Sequence, residues 1–358
     1  MSTITDVLSE ARFVVCAGTG GVGKTTTSAA LALHAAQNGR AAVVVTIDPA
    51  RRLADALGVR TLGNEPHEID GVGADGGSLH ALMLDTKLTF DALVRRNAAD
   101  EAQAQRILSS SFYRNVAGSL SGTGEYMAME KLHELHESGR FDLIVVDTPP
   151  TRHALAFLDA PRLMTRLLEN RLYRVLVGPT RGIARTATSA VHLLARQLTR
   201  IVGSDVVDDA IAFFRAFDGM EHGFEQRAND VLALLRSDVA AFVLVASPRR
   251  DTVDEARHFA DQLRDAGITV RAVVVNRTTP PFAAPDEPHD PPADAAPPLL
   301  AAWHDFRTLA EREEREIDAL RAAAPGAPLV RVPLLAEDVA ELDALRLFAA
   351  RITQGHAG

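Results

Sequence analysis

Residues 18–25 constrain this chain more than any other segment, because they read Gly-Thr-Gly-Gly-Val-Gly-Lys-Thr and complete the pattern G-x-x-x-x-G-K-[ST]. A short apolar run, residues 12–17, precedes the glycines, and an Ala- and Leu-rich stretch, residues 25–39, follows them. A strand, a glycine turn and the beginning of a helix together form an anion-binding site. The pattern therefore predicts a phosphate-binding loop, formed by Gly18, Gly20, Gly21, Val22, Gly23, Lys24, Thr25 and Thr26.

Buried-strand runs alternate with helical patterns along the chain, which predicts an α/β fold with a mostly parallel sheet flanked by helices. The predicted strands are residues 12–17, 41–47, 141–146, 241–246, 270–275 and 329–332, with residues 80–84 as a further candidate. Residues 86–138 and 159–238 have helical patterns that interrupt this alternation. We expect them to form an inserted α-helical subdomain. The nucleotide-binding core would then comprise residues 1–85, 139–158 and 239–358.

Residues 278–298 contain eight of the 18 prolines of the chain. Proline removes a backbone donor and fixes φ, so this stretch is predicted to be a flexible surface loop and not a helix or central strand. A charged helix is expected to follow it, from Ala301 to Ala323.

Composition narrows the class of protein. The net charge is −9 and the sequence pI is about 5.7, which argues against a nucleic-acid partner. No uncharged apolar run is long enough to span a membrane, and the first ten residues lack the pattern of a signal peptide. Cys16 is the one cysteine, so no disulfide can form within the chain. These features indicate a cytoplasmic protein, with peripheral membrane association left open.

Polar side chains follow three of the predicted strands, where an open α/β sheet binds its ligands. In the phosphate loop itself, Lys24 is expected to reach the β- and γ-phosphates, and the Thr25 hydroxyl to ligate Mg²⁺. Asp147 is expected to hold Mg²⁺ directly or through water, with a simple strand-end turn as the alternative. Asp48 either orients a water molecule or caps the helix after Pro49. Asn276 either hydrogen-bonds a base edge or stabilises a turn.

The chain resembles the ArsA/Get3 ATPases, which belong to the SIMIBI class of P-loop NTPases. The matching segments are residues 18–26, 46–57 (switch I), 147–155 (switch II), 273–277, and 332–335 with 342–345. Residues 122–131 look like the actinobacterial branch of this family. The resemblance implies ATP with Mg²⁺, a dimer formed across the nucleotides, and a hydrophobic client or membrane-protein partner. It also implies Asp48 as the water-activating carboxylate, Asp147 on the Mg²⁺ side, and an adenine site at Asn276, Pro333, Leu334 and Leu335.

Some positions depart from the family pattern. The family has a lysine, which contacts the partner's phosphates, where this chain has Thr19; Arg51 and Arg152 are further departures. The resemblance thus leaves open a homodimer, or a heterodimer with a paralogous ATPase that carries the lysine. The zinc-binding C-x-x-C and the arsenite-binding cysteines of some members are absent, and His133 with His136 is read as a solvated helix face. The motor of an anion efflux pump and a ParA-like partitioning ATPase remain as alternatives.

Overall fold

The structure is a computed structural model, and it describes residues 3–48, 51–73, 76–110, 113, 123–149, 213, 221–280 and 296–354. Its strands are β1 Phe13–Ala17, β2 Ala41–Thr46, β3 His67–Glu68, β4 Ser78–Met83, β5 Leu143–Asp147, β6 Ala240–Ala246, β7 Val270–Thr278 and β8 Leu329–Pro333. Its helices are α1 Ile4–Glu10, α2 Lys24–Gln37, α3 Arg52–Ala56, α4 Thr86–Asn97, α5 Glu101–Ser109, α6 Thr123–Glu137, α7 Glu221–Leu235, α8 Arg250–Asp265, α9 Pro297–Ala323 and α10 Leu342–Gln354.

The strands form one eight-stranded sheet in the order β3-β4-β2-β5-β1-β6-β7-β8. All neighbouring strands run parallel except β3, which pairs antiparallel with β4 at the sheet edge. Every residue of β1, β5 and β6 is buried, as expected for parallel strands covered on both faces. The prediction of a mostly parallel sheet flanked by helices is therefore confirmed.

Small side chains allow the helix after the phosphate loop to pack closely on the sheet. Helix α2 is rich in alanine, and it lies against β1, β2 and β5 while α10 packs on it. The core on this face contains Val14, Val44, Leu31, Leu33 and Phe348, all at most 2% exposed. This packing fixes the position of the α2 N-terminus relative to the carboxyl ends of the strands.

The chain divides into two compact units. The first includes the residues within Met1–Met83, Ser138–Leu155 and Leu234–Gly358, and it contains the sheet. The second includes those within Leu84–Glu137 and Ala156–Ala233, and its described residues are mainly helical. Within this helical unit, Asp85 and Asp100 accept hydrogen bonds from backbone N–H groups at the starts of α4 and α5, as helix N-caps do.

Some predicted boundaries were wrong. The predicted loop 278–298 overlaps regular structure at both ends, because Thr278 is the last residue of β7 and α9 begins at Pro297 instead of Ala301. Proline is tolerated in the first turn of a helix, where its missing N–H has no partner. Residues 281–295, and most of the predicted helical segment 159–238 before α7, lie outside the described residues.

Candidate functional site

The loop between β1 and α2 has the glycines that its backbone requires. Gly23 is the N-cap of α2 in a left-handed conformation with φ 97°. A Cβ atom built on Gly23 would lie 2.3 Å from the side-chain nitrogen of Asn276, and one on Gly18 would lie 2.1 Å from the carbonyl oxygen of Val245. A larger residue at Gly18 would collide with the backbone of β6, and one at Gly23 would displace the Asn276 side chain from the loop.

Lys24 is almost completely buried inside this loop, with 7% of its surface exposed. Its Nζ donates a hydrogen bond to the carbonyl oxygen of Thr19 over 2.7 Å. Burial lowers the pKa of Lys24, whereas the charges of Asp147 and Asp48 act in the opposite direction. The ammonium group is thus held in place by the loop backbone, close to two carboxylates.

Asp147, the last residue of β5, is fully buried beside the loop. Its Oδ2 accepts hydrogen bonds from the hydroxyls of Thr25 at 2.8 Å and Thr46 at 2.9 Å. Its Oδ1 is buried and has no hydrogen-bond partner among the described residues. Burial raises the pKa of Asp147 to about 6, although the two threonine hydrogen bonds and Lys24 favour the charged form. A buried carboxylate oxygen left without a partner indicates that a cation or a water molecule belongs there.

Asp48 lies just beyond the end of β2 and is more accessible than Asp147, with a side chain 16% exposed. Its carboxylate lies 3.5 Å from a guanidinium nitrogen of Arg52. The N-cap residue of α3 is Arg51, so the alternative reading of Asp48 as the cap of this helix is wrong for α3. Pro49 and Ala50, between Asp48 and α3, lie outside the described residues.

A cleft of about 460 Å³ opens beside the loop. Its walls include Lys24, Thr25, Asp48, Asn276, Arg277, Pro333, Leu334 and Leu335. The predicted water-activating and adenine residues and most of the predicted phosphate residues therefore border one cavity, whereas Gly18, Gly20, Val22 and Asp147 are not among its walls. Its size falls within the range of about 300–1,000 Å³ that is usual for small-molecule sites.

Asn276 makes contacts that the sequence does not reveal. Its Nδ2 donates to the carbonyl oxygen of Val22 over 2.9 Å, and its Oδ1 accepts from the backbone N–H of Arg277 over 2.9 Å. These contacts correspond to the structural alternative, in which the amide stabilises the backbone around it. A contact with adenine stays a prediction.

Three residues near the site had no predicted role. Thr46 holds the Asp147 carboxylate, Thr148 donates to the carbonyl oxygen of Cys16 over 2.8 Å, and Arg277 donates to the carbonyl oxygen of Gly21 over 3.0 Å. Each stands within two residues of a predicted site residue, at the end of a strand or directly after it. That proximity was the available signal, because the contacts themselves join distant parts of the sequence.

The described residues cover the remaining predicted features only in part. The switch II segment after Pro149, including Arg152, lies outside the described residues. Within the described parts of the chain, no cluster of three or more His, Cys, Asp or Glu side chains is arranged to hold a metal ion. None of the described helices is both long and apolar enough to cross a membrane.

A glycine-rich loop with a buried lysine, joined to a strand-end aspartate through the hydroxyl after that lysine, defines the class of P-loop NTPases. The model of the anion-transporting ATPase family, ArsA, matches residues 11–354. The chain therefore belongs to this family of ATPases, and the resemblance predicted from its motifs is confirmed.

Individual proteins that the chain resembles are also named as ATPases. The chain is 24% identical to the ATPase GET3 of Kluyveromyces lactis over 350 residues, which cover 94% of this chain and 88% of the relative. It is 23% identical to the ATPase GET3 of Malassezia globosa over 330 residues, covering 92% and 86% of the two chains. It is 30% identical to the ATPase ASNA1 homolog 1 of Paramecium tetraurelia over 164 residues, covering 46% and 47%.

Proposed function

We propose that this ATPase requires Mg²⁺ and that ATP binding and hydrolysis switch a dimer between conformations, which act on a hydrophobic client or a membrane-protein partner. The proposed compartment is the cytoplasm, with peripheral association at a membrane. The observation that carries the Mg²⁺ requirement is the buried Asp147 carboxylate, whose Oδ2 accepts a hydrogen bond from Thr25 and whose Oδ1 has no partner among the described residues. The dimer and the client are inferred from the family to which the chain belongs.

The donor set at Asp147 fits a magnesium ion. Mg²⁺ prefers oxygen ligands, and in P-loop NTPases it keeps several water molecules. Thr25 would hold the ion through its hydroxyl, and Asp147 would hold it through water, which would supply donors to the unpartnered Oδ1. When bound, Mg²⁺ neutralises charge on the β- and γ-phosphate oxygens.

The remaining walls of the cleft fit the other parts of ATP. Backbone N–H groups of the loop and the Lys24 ammonium are suited to the phosphates. Pro333, Leu334 and Leu335 offer an apolar surface for a base beside Asn276. Leu334 is 58% exposed, so its side chain is available to a ligand.

Asp48 is the proposed base that orients the attacking water molecule and accepts its proton. Its partial exposure leaves room for water, and its position beyond β2 places it on the wall of the cleft. The Arg52 guanidinium lies 3.5 Å from this carboxylate and pairs with it.

An anion pump motor that binds arsenite through thiolates is less well supported. Cys16 is the one cysteine of the chain and is fully buried, and burial raises the pKa of its thiol to about 12. A thiol in this state is not a ligand, because metal and metalloid ions bind the thiolate.

Calorimetric titration with Mg-ATP and Mg-GTP tests the nucleotide assignment. We expect ATP to bind more tightly than GTP, and Lys24→Ala to abolish tight binding of either nucleotide while Lys131→Ala, in the helical unit, leaves it unchanged. Equal or tighter binding of GTP would overturn the adenine assignment. Normal binding by Lys24→Ala would overturn the phosphate assignment.

Thr19 favours a heterodimer over a homodimer. Its carbonyl accepts the Lys24 hydrogen bond, and its hydroxyl oxygen is buried without a hydrogen-bond partner among the described residues. Because threonine is uncharged, the residue offers no charge to a nucleotide held by another chain. In this proposal, a paralogous ATPase with lysine at this position supplies the missing charge.

Turnover of the chain alone, of Thr19→Lys, and of the chain mixed with its paralogue distinguishes these assemblies. A cation supplied by a partner chain can increase phosphoryl transfer by about 10³-fold or more. We expect the lone wild-type chain to be the slowest of the three. If it is as fast as the others, the heterodimer proposal fails, and Arg152→Ala becomes the variant to examine.

A further inference from the structure

Arg277 has an unusual backbone at a position next to the phosphate loop. Its φ of 62° makes it the one non-glycine residue with a positive φ in the part of the chain that the structure describes. Such a conformation is unfavourable for a residue with a Cβ, and it persists where surrounding contacts hold it. Residues of this kind concentrate at ligand-binding sites, so the contacts of Arg277 are informative.

The strained residue is a bulge in β7. Asn276 pairs with Val332 and Thr278 pairs with Pro333, and the register shifts between them, which leaves Arg277 as the extra residue. Successive side chains of a regular strand point to opposite faces of the sheet. The bulge instead allows two adjacent side chains, those of Asn276 and Arg277, to reach the same loop.

These two side chains bind consecutive carbonyl groups of the phosphate loop. Arg277 donates from Nη1 to the carbonyl oxygen of Gly21 over 3.0 Å, and Asn276 donates from Nδ2 to the carbonyl oxygen of Val22 over 2.9 Å. Asn276 is 6% exposed, whereas Arg277 lies at the surface and lines the cleft. The side-chain Oδ1 of Asn276 also accepts from the backbone N–H of Arg277, so the two residues act as one clamp on the loop.

A clamp on two carbonyl groups also orients two N–H groups. Because a peptide unit is planar and trans, its C=O and the following N–H point in opposite directions. Holding the carbonyls of Gly21 and Val22 toward β7 therefore turns the N–H groups of Val22 and Gly23 away from β7. We propose that Arg277 is a positioning residue, which works with Asn276 to aim these N–H groups at the phosphates of the nucleotide.

This inference rests on the proposed ATP-binding function, and it names a residue that tunes affinity for the triphosphate without touching the base. The alternative is a direct role, in which the Arg277 charge attracts the phosphates or its guanidinium contacts the base. The two roles differ in their dependence on salt and on the base, because direct attraction between exposed charges is screened by salt.

The test compares wild type with Arg277→Asn and Arg277→Gly. Asparagine and glycine both tolerate a positive φ, and neither can reach the oxygen of Gly21. Dissociation constants are measured for Mg-ATP and for inorganic tripolyphosphate, at low and at high ionic strength, together with Tm. Arg271→Asn is the matched control, because Arg271 lies at the other end of β7 and pairs with Glu10 at 2.9 Å.

We expect both Arg277 variants to bind ATP and tripolyphosphate about tenfold more weakly, which is the scale for misaligned hydrogen bonds to a charged group. The loss should be the same for both ligands and at both salt concentrations. Tm should be unchanged or higher, because the backbone strain is relieved. Arg277→Lys, which retains a donor on a long side chain, should recover part of the affinity, and Arg271→Asn should bind like wild type.

Other results would overturn the inference. Unchanged binding by the Arg277 variants would do so, as would a loss of affinity that disappears at high salt. So would a loss of affinity for ATP but not for tripolyphosphate, or a wild-type chain that binds ATP but not tripolyphosphate. If the wild-type chain binds neither ligand, the proposed ATP site fails, and with it the clamp. If wild type binds both ligands and the variants match it, only the clamp fails.

Discussion

The ends of strands β5 and β2 are adjacent, and each is associated with a carboxylate, but the two carboxylates are held very differently. Asp147 is fully buried and is fixed by the hydroxyls of Thr25 and Thr46. Asp48 is partly exposed and lies 3.5 Å from Arg52, whose side chain is 61% exposed. A group that holds a metal ion benefits from rigidity, whereas a group that handles a proton must also reach water. The difference between the two environments therefore supports the different roles proposed for Asp147 and Asp48.

Removing the charge at Asp147 is the strongest test of these different roles. We expect Asp147→Asn to lower ATP turnover by about 10³-fold or more, since the contribution of a catalytic metal is several kcal/mol. Turnover should also lose its normal dependence on Mg²⁺ concentration. Steady-state kinetics over a Mg²⁺ titration measures both effects. An unaltered Mg²⁺ dependence in this variant would contradict the metal assignment.

The same residue predicts a pH effect on stability in the absence of nucleotide and Mg²⁺. Burial raises the pKa of Asp147 to about 6 from an ordinary value of 3.8, so the native state binds this proton more tightly than the unfolded state does. The stability of wild type relative to Asp147→Asn should therefore fall as the pH rises from about 4 to about 7, by at most about 3 kcal/mol.

Urea unfolding of both proteins at several pH values measures this effect. Groups other than Asp147 titrate in both chains, so the difference between the chains isolates the one carboxyl group. Saturating Mg²⁺ should reduce the slope, because a bound cation favours the charged form. A difference that does not change with pH would show that Asp147 is not destabilised by its burial.

Asp48→Asn should produce a smaller and more selective change. The substitution keeps the shape of the side chain but removes its ability to accept a proton. We expect ATP affinity to stay within a few fold and hydrolysis to slow by about 10²-fold, the usual scale for an acid–base group. Single-turnover hydrolysis and calorimetry separate these quantities. Hydrolysis at the wild-type rate would leave Asp48 without a catalytic role.

Arg52→Ala should have the smallest effect, because exposed ion pairs contribute little. We expect the free energy of unfolding to change by less than about 1 kcal/mol and turnover by less than about threefold. Thermal unfolding and the same kinetic assay provide the measurements, with Arg250→Ala, another exposed i,i+4 pair, as the control. A large loss of turnover would mean that Arg52 contributes to the site beyond its pairing with Asp48.

The sequence predicted the parts of the fold that local patterns control. The apolar runs of β1, β2 and β5 and the glycines of the loop identified the sheet and its ligand edge, because buried parallel strands and phosphate loops have distinctive local sequences. Strand β3 was missed, since it has two exposed residues and no apolar pattern. The start of α9 was misjudged because Pro297 reads equally as part of a loop and as a first helical residue.

For the candidate site, the sequence indicated individual residues but not the contacts between them. Asp48 and Asp147 were recognisable from their strand-end positions. The hydrogen bond between Thr46 and Asp147 joins residues 101 positions apart, and that between Asn276 and Val22 joins residues 254 apart. Such contacts depend on strand order and register, which a single sequence does not display. The positive φ of Arg277 was also hidden, because arginine carries no preference for that conformation.

The burial of Cys16 in the middle of the sheet has a practical consequence for biophysical labelling. The side chain is fully buried on β1, between β5 and β6, and its thiol pKa is raised to about 12, so thiol-directed dyes should not react with it while the protein is folded. A single introduced cysteine, such as Leu347→Cys at a position 52% exposed, would then carry the label without prior removal of the native thiol. Fluorophores or spin labels placed this way could test whether the proposed subunits associate during turnover, in an otherwise unaltered chain.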